Sequence, residues 1–180
     1  MKKILLIICL ILAIFQMVVL ATAIDIGATA SNRNSSSSYA YGTVVDRTNP
    51  ANGTGKITFL AIYPYQAMQN IQVATFYCPD PVNFPEKLST RDSESIANTS
   101  GYTEYLVDLD VVEGDFIGLY FTAGQIEATN PTTNGTWKLA GDQIPCTNAT
   151  FAAHNFTLSI YGTGATPAVA TTNIFMGVNF

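Results

Sequence analysis

Histidine occurs once in the 180 residues, tryptophan once and cysteine three times, and Lys plus Arg total only eight. Each scarcity excludes something. The lone His154 cannot form a histidine cluster for zinc, and no Gly-x-Ser-x-Gly stands beside it, so it is read as a loop histidine without catalytic duty. Two of the basic residues, Lys2 and Lys3, sit at the extreme N-terminus. The remainder sets six basic residues against thirteen acidic ones, a net charge of −7. A chain with so few and such scattered cations cannot track phosphates, and no nucleic-acid partner is expected. The straight-chain helix formers are also few, while Thr, Ser, Asn, Gly, Tyr and Phe are abundant, which favours strands and turns.

One long apolar run is present, Ile4 to Leu20, preceded by Lys2-Lys3, interrupted by Gln16 and followed by Ala21-Thr22-Ala23. Basic, apolar and small-x-small segments in that order make an export signal. A hydrophobic export helix over residues 1–23 is expected, cleaved after Ala23, with an uncleaved membrane anchor as the alternative. Cys9 would leave with it. The 157 residues from Ile24 to Phe180 suit one domain with a substantial core. That domain belongs outside the cell or on its surface, where oxidation and Asn glycosylation are available.

The mature region alternates with period two. In Tyr102 to Val111, Tyr105, Val107, Leu109 and Val111 share one face, and Glu104, Leu106, Asp108 and Asp110 share the other. The same logic places strands at Gly55–Tyr63, Ile71–Tyr77, Phe116–Thr122, Phe156–Tyr161 and Asn173–Asn179. Shorter strands are expected at Ile24–Thr29, Gly42–Val45, Lys87–Arg91 and Thr136–Ala140. Asn49 to Gly53, Cys78-Pro79-Asp80-Pro81, Glu113-Gly114-Asp115 and Gly141-Asp142 carry turn chemistry between them, and Ser35 to Ser38 reads as an exposed connection. Many short strands at this spacing predict an all-β fold, an antiparallel sandwich or barrel.

The series Gly114-Asp115-Phe116-Ile117-Gly118-Leu119-Tyr120, Gly135-Thr136-Trp137, Gly141-Asp142-Gln143-Ile144-Pro145 and Ser159-Ile160-Tyr161-Gly162-Thr163-Gly164 resembles small jelly-roll modules. These are the concanavalin-like or carbohydrate-binding-like β-sandwiches of phage and environmental-microbe surface proteins. The resemblance spans Ile26 to Gly164 and implies a jelly-roll-like sandwich over residues 24–164, with glycan binding by analogy.

Several residues carry candidate chemistry. Cys78 and Cys146 are each near a proline in a loop, and a single pair in an exported domain is expected to bridge, stabilising by about 3–5 kcal/mol on chain-entropy grounds. The alternative is two separate buried thiols. Asn34, Asn52, Asn98, Asn134, Asn148 and Asn155 head Asn-x-Ser/Thr glycosylation sites, with Asn155 abutting a strand. Asp108-x-Asp110-x-x-Glu113 resembles the Glu-x-Asp-x-x-Glu strand of jelly-roll glucanases, in which two carboxyls about 5–5.5 Å apart cleave a glycoside with retention. Asp replaces the first Glu here and Glu113 adjoins a turn, so an acidic solvent face is the expectation. The same acids with Asp115 offer oxygen ligands, and calcium is the one cofactor they could hold. Trp137 lies between Asn134-Gly135 and Gly141-Asp142, where its ring could stack on a sugar or close one end of the sandwich; Tyr63 and Tyr65 could join it as ligand contacts.

The segment 165–180 has no charged residue and ends Ile174-Phe175-Met176-Gly177-Val178-Asn179-Phe180. It is expected to close the domain's own sheet or be donated to a neighbour's. A small outer-membrane barrel is an alternative that the many prolines and short strands disfavour. The expected function is non-enzymatic: adhesion, recognition of glycans or other surface proteins, or surface assembly by self-association. A structural subunit of an extracellular filament or layer and a glycan-active enzyme are the alternatives.

Overall fold

A computed structural model describes residues 21–33, 35–37, 40–129 and 135–167. Thr22–Pro167 forms one compact unit. The first 20 residues of the export segment, the expected strand Asn173–Asn179, and Asn34 and Asn134 lie outside the described residues; the last three residues of that segment are not helical, since Ala21 and Thr22 have no regular structure and Ala23 opens a strand. All described secondary structure is β, in fifteen strands: β1 (Ala23–Ala28), β2 (Ser36–Ser37), β3 (Gly42–Asp46), β4 (Gly55–Ile62), β5 (Pro64–Gln69), β6 (Ile71–Tyr77), β7 (Lys87–Ile96), β8 (Thr103–Val111), β9 (Phe116–Phe121), β10 (Ala123–Thr129), β11 (Thr136–Ala140), β12 (Ala149–Thr150), β13 (Ala152–His154), β14 (Thr157–Leu158) and β15 (Ile160–Ala165).

These strands pair antiparallel. One sheet runs β1-β15-β4-β8, a second runs β12-β7-β6-β9-β3-β11-β13, and a small third one joins β14, β10 and β2, with β5 also on β10. The largest apolar cluster takes Ile24, Ile57, Leu60 and Leu109 from the first sheet and Val44, Val73, Ile117 and Phe121 from the second. A separate cluster holds Val45, Ala74, Phe76, Leu88, Trp137, Ile144 and Phe151. Adjacent Val44 and Val45 point to opposite faces of β3, so the second sheet is buried on both faces at this strand. That is why β3 reads as a continuously buried run, whereas β8 alternates with its charged positions wet.

The alternation assigned to β8 matches the burial of every residue from Glu104 to Val111. Lys87–Arg91 proves to be half of a ten-residue strand. The expected Phe156–Tyr161 strand is instead two. Thr157–Leu158 pairs with β10, and Ile160–Ala165 pairs with β1 and β4. Between them Ser159 is buried, its hydroxyl donating to Ser31 O at 2.6 Å and accepting from Arg33 Nε at 2.8 Å, so the chain changes sheet there. Strands β5 and β10 were not expected. Pro64 opens one and Gly124, at φ 92°, lies within the other, and both residues weigh against strands in sequence.

The switch is also held by Asp46, which is fully buried at the end of β3. Its carboxylate accepts from Thr48 N at 2.9 Å, Thr48 Oγ1 at 2.6 Å and Leu158 N at 3.2 Å. Burial nonetheless raises this carboxyl above its ordinary value, against the lowering effects of the Thr48 and Leu158 donors and of Arg33. A carboxyl raised by folding adds stability while protonated and loses that contribution as pH rises through its folded value. On acidification from neutrality towards about pH 4, urea unfolding should show wild type gaining stability relative to Asp46→Asn. Parallel pH profiles for the two proteins would contradict this placement of Asp46.

Candidate functional site

Strand β4 lies between β15 and β8, and its pairing is irregular on both sides. From Ile57 to Phe59, β4 advances two residues while β15 advances one, Gly164 to Thr163, and β8 advances three, Leu109 to Leu106. A mismatch of this kind is a β-bulge, which bends the strand and re-aims side chains. Thr58 and Phe59 are consequently both exposed, between buried Ile57 and Leu60. Phe59, 50% exposed, points to solvent from a position that strict alternation would send to the core.

Around Phe59 a cleft of about 280 Å³ is lined by Ala61, Tyr102, Glu104, Tyr161 and Thr163. Cross-strand pairing assembles it: Phe59 stands opposite Thr163 and Leu106, and Ala61 opposite Tyr161 and Glu104. Because Ala61 is small, the three aromatic rings stand around an open floor. Tyr102, 51% exposed, donates its hydroxyl to Glu104 Oε1 at 2.6 Å and meets the Tyr63 ring at 6.1 Å between centroids. That hydrogen bond, with a smaller contribution from desolvation, raises the Tyr102 phenol above its ordinary value. The Tyr161 hydroxyl donates to Asp25 Oδ2 at 3.3 Å, and its phenol is raised by desolvation first and then by Asp25. Both phenols therefore stay protonated at neutral pH. The result is a set of apolar ring faces beside carboxylate acceptors.

Of the sequence-chosen ligand contacts, Tyr63 reaches this cleft through Tyr102, and Tyr65 is exposed on β5 outside its lining. Trp137 does not present a free ring. It is 4% exposed, meets Phe116 edge-on at 4.8 Å and is covered by the Arg47 guanidinium at 4.0 Å. It borders a different cleft, of about 470 Å³, together with Arg47, Arg91, Glu113, Asp115 and Phe116.

The four acids do not gather into a calcium site. Asp108 and Asp110 share Lys56 Nζ, at 2.8 and 3.1 Å, and hydrogen bonds to those two acids hold the ammonium well above its ordinary value. Asp115 is buried and forms a bidentate pair with Arg91, through Nε and, at 2.9 Å, Nη2, while accepting from Val112 N at 2.8 Å. Glu113 is exposed on the turn, its N–H donating to Thr54 Oγ1. Among the described residues no three His, Cys, Asp or Glu side chains could jointly hold a metal ion.

The expected Cys78–Cys146 bridge is not formed, and both thiols are free. Thr90 N donates to Cys146 O on one side of β7, whereas Cys78 follows β6 on the other, where Tyr77 pairs with Ser89. With β7 between them the two residues lie two strand spacings apart, about 9–10 Å, beyond the roughly 7 Å at which a disulfide closes. Cys78 Sγ instead donates to Phe84 O at 3.3 Å and Cys146 Sγ to Leu88 O at 3.6 Å. Asn52, Asn98, Asn148 and Asn155 are exposed. His154 is stacked on Phe156, its rings 4.5 Å apart, and desolvation lowers its imidazole below the ordinary value.

The chain matches no protein-family model, and a search of curated proteins returns no match. Its class is defined by structure alone: an all-β protein of antiparallel sheets with an aromatic cleft on an exposed sheet face.

The bulge depends on Gly164, where an added Cβ would overlap the Lys56 carbonyl oxygen. Gly164→Ala should therefore lower stability by about 1–3 kcal/mol in urea unfolding. Gly101→Ala, where a Cβ meets nothing within 4 Å, should stay within about 0.5 kcal/mol of wild type. Equal effects would rule out the close approach of β15 to β4.

Proposed function

We propose that this is a non-enzymatic, exported recognition protein built on a jelly-roll-like β-sandwich, and that the Phe59 cleft takes one ring of a neutral glycan. The apolar cluster contributed by both large antiparallel sheets supports the sandwich. The order of basic, apolar and small residues at the N-terminus supports export to the cell surface or beyond. The observation that carries the glycan assignment is the grouping of Phe59, Tyr102 and Tyr161 around the small Ala61, with Glu104 and Asp25 beside the rings. A sugar ring offers an apolar C–H face and a rim of hydroxyls. The first suits aromatic faces and the second suits carboxylate acceptors. A volume near the lower end of the roughly 300–1,000 Å³ range of small-molecule sites fits a single ring better than an extended chain.

Glycoside hydrolysis is less well supported. Asp108 and Asp110 are tied to Lys56, and Glu113 borders the other cleft, so the three carboxylates do not face one substrate. The full chain should be retained on a neutral-glycan array without cleaving what it binds. Phe59→Ala and Tyr102→Ala should each weaken retention at least about tenfold, as expected of truncating a stacking aromatic. Asp110→Asn and Glu113→Gln should leave it unchanged. No retained neutral glycan, retention indifferent to Phe59 and Tyr102, or turnover abolished by either acid substitution would overturn the assignment.

A further inference from the structure

The cleft beside Trp137 contains two arginines in opposite electrical situations. Arg91 stacks over Tyr77 at 4.8 Å, and its charge is matched by the buried Asp115. Arg47, which follows β3, lies over the Trp137 ring and is ion-paired with no carboxylate among the described residues. It is half-buried, and desolvation pushes its guanidinium below the ordinary value. Holding an arginine partly out of water without a counter-charge is unfavourable. The cation–π contact offsets part of that cost. Trp137 occupies one face of the guanidinium plane, while the in-plane N–H donors are arranged as a fork that matches a carboxylate.

The rest of the cleft is mostly apolar. Tyr77, Pro81, Pro85, Val112 and Phe116 border it, and its volume of about 470 Å³ admits a ring-sized body. Glu113 also lines it, so a second negative charge on a ligand would meet an acid, and the Asp115 charge is already committed to Arg91. We propose that this cleft is a second binding site, independent of the Phe59 cleft, for an organic monoanion whose carboxylate pairs with Arg47 and whose ring packs against Tyr77 and Phe116. A uronic acid and a free aromatic acid share that chemistry.

Trp137 is the only tryptophan in the chain, so its fluorescence reports on this cleft directly. The full chain would be titrated separately with galacturonate, benzoate, their methyl esters, galactose and inorganic phosphate. At least one carboxylate should give a saturable change at concentrations up to about 10 mM, with its methyl ester at least about tenfold weaker, a difference of one decade in Kd. Phosphate should also be weaker, because of Glu113. Saturation by galacturonate alone assigns a carboxylated sugar, and saturation by benzoate alone assigns an aromatic acid. Arg47→Gln and Arg47→Lys should both lose the response, the second because an ammonium cannot form the fork, while Phe59→Ala should keep it. The ester comparison needs no variant and stands even if a substitution at Arg47 fails to fold. No saturation by either acid, an ester as good as its acid, phosphate as the better ligand, or an unaltered response in folded Arg47→Gln would overturn the proposal.

Discussion

Between Ile57 and Leu60, strand β4 presents two residues to solvent in succession, and the exposed face of its sheet follows from that one irregularity. Its neighbours cover unequal distances past the same point, one residue on β15 and three on β8. Only a residue without a side chain allows the short side, because β15 passes against the Lys56 carbonyl at Gly164. The inward side also relies on a missing side chain: a Cβ on Gly162 would press against Ile26 and Ile57. Strand β15 can therefore sit close to both β1 and β4 while its outward residues, Tyr161 and Thr163, line the cleft. Core packing and surface chemistry meet on a single strand.

Charge is distributed with comparable economy. Lys56 serves two exposed acids, and Arg91 serves one buried acid. The exposed Lys56 cluster adds little to stability in water, whereas the Arg91–Asp115 fork fixes the turn that follows β8, since Asp115 also accepts from Val112 N. With so few cations in the chain, Arg47 over Trp137 is conspicuous for forming no ion pair among the described residues.

Legibility in the sequence followed regularity. Strand β8 was readable residue by residue because one of its faces is buried and the other wet, and period-two alternation records that difference directly. The boundaries of β6 and β11 were readable too, set off by turn residues. Phe59 was not, because a bulge breaks the very period by which it would have been assigned. Tyr102 and Tyr161 carry no mark in the sequence, since nothing in one dimension shows that they flank Ala61. Trp137 stands out in the sequence as the lone tryptophan, yet its burial against Phe116 and Arg47 depends on three separate segments. The cysteines illustrate the same limit: proximity to proline marked both loops, but not the strand that runs between them. Asp108, Asp110, Glu113 and Asp115 looked like one acidic group, and the fold divides them between Lys56, a turn and Arg91.

The outward turn of an aromatic ring at the β4 irregularity can be read by solvent paramagnetic relaxation measured on the assigned aromatic side-chain protons of the full chain. A soluble paramagnetic agent should broaden Phe59 and Tyr102 strongly while sparing Phe76, Phe121 and Trp137, which are buried. If Phe59 were protected as well as Phe76, strand β4 would alternate regularly, the ring would lie in the core, and the cleft described around it would not exist.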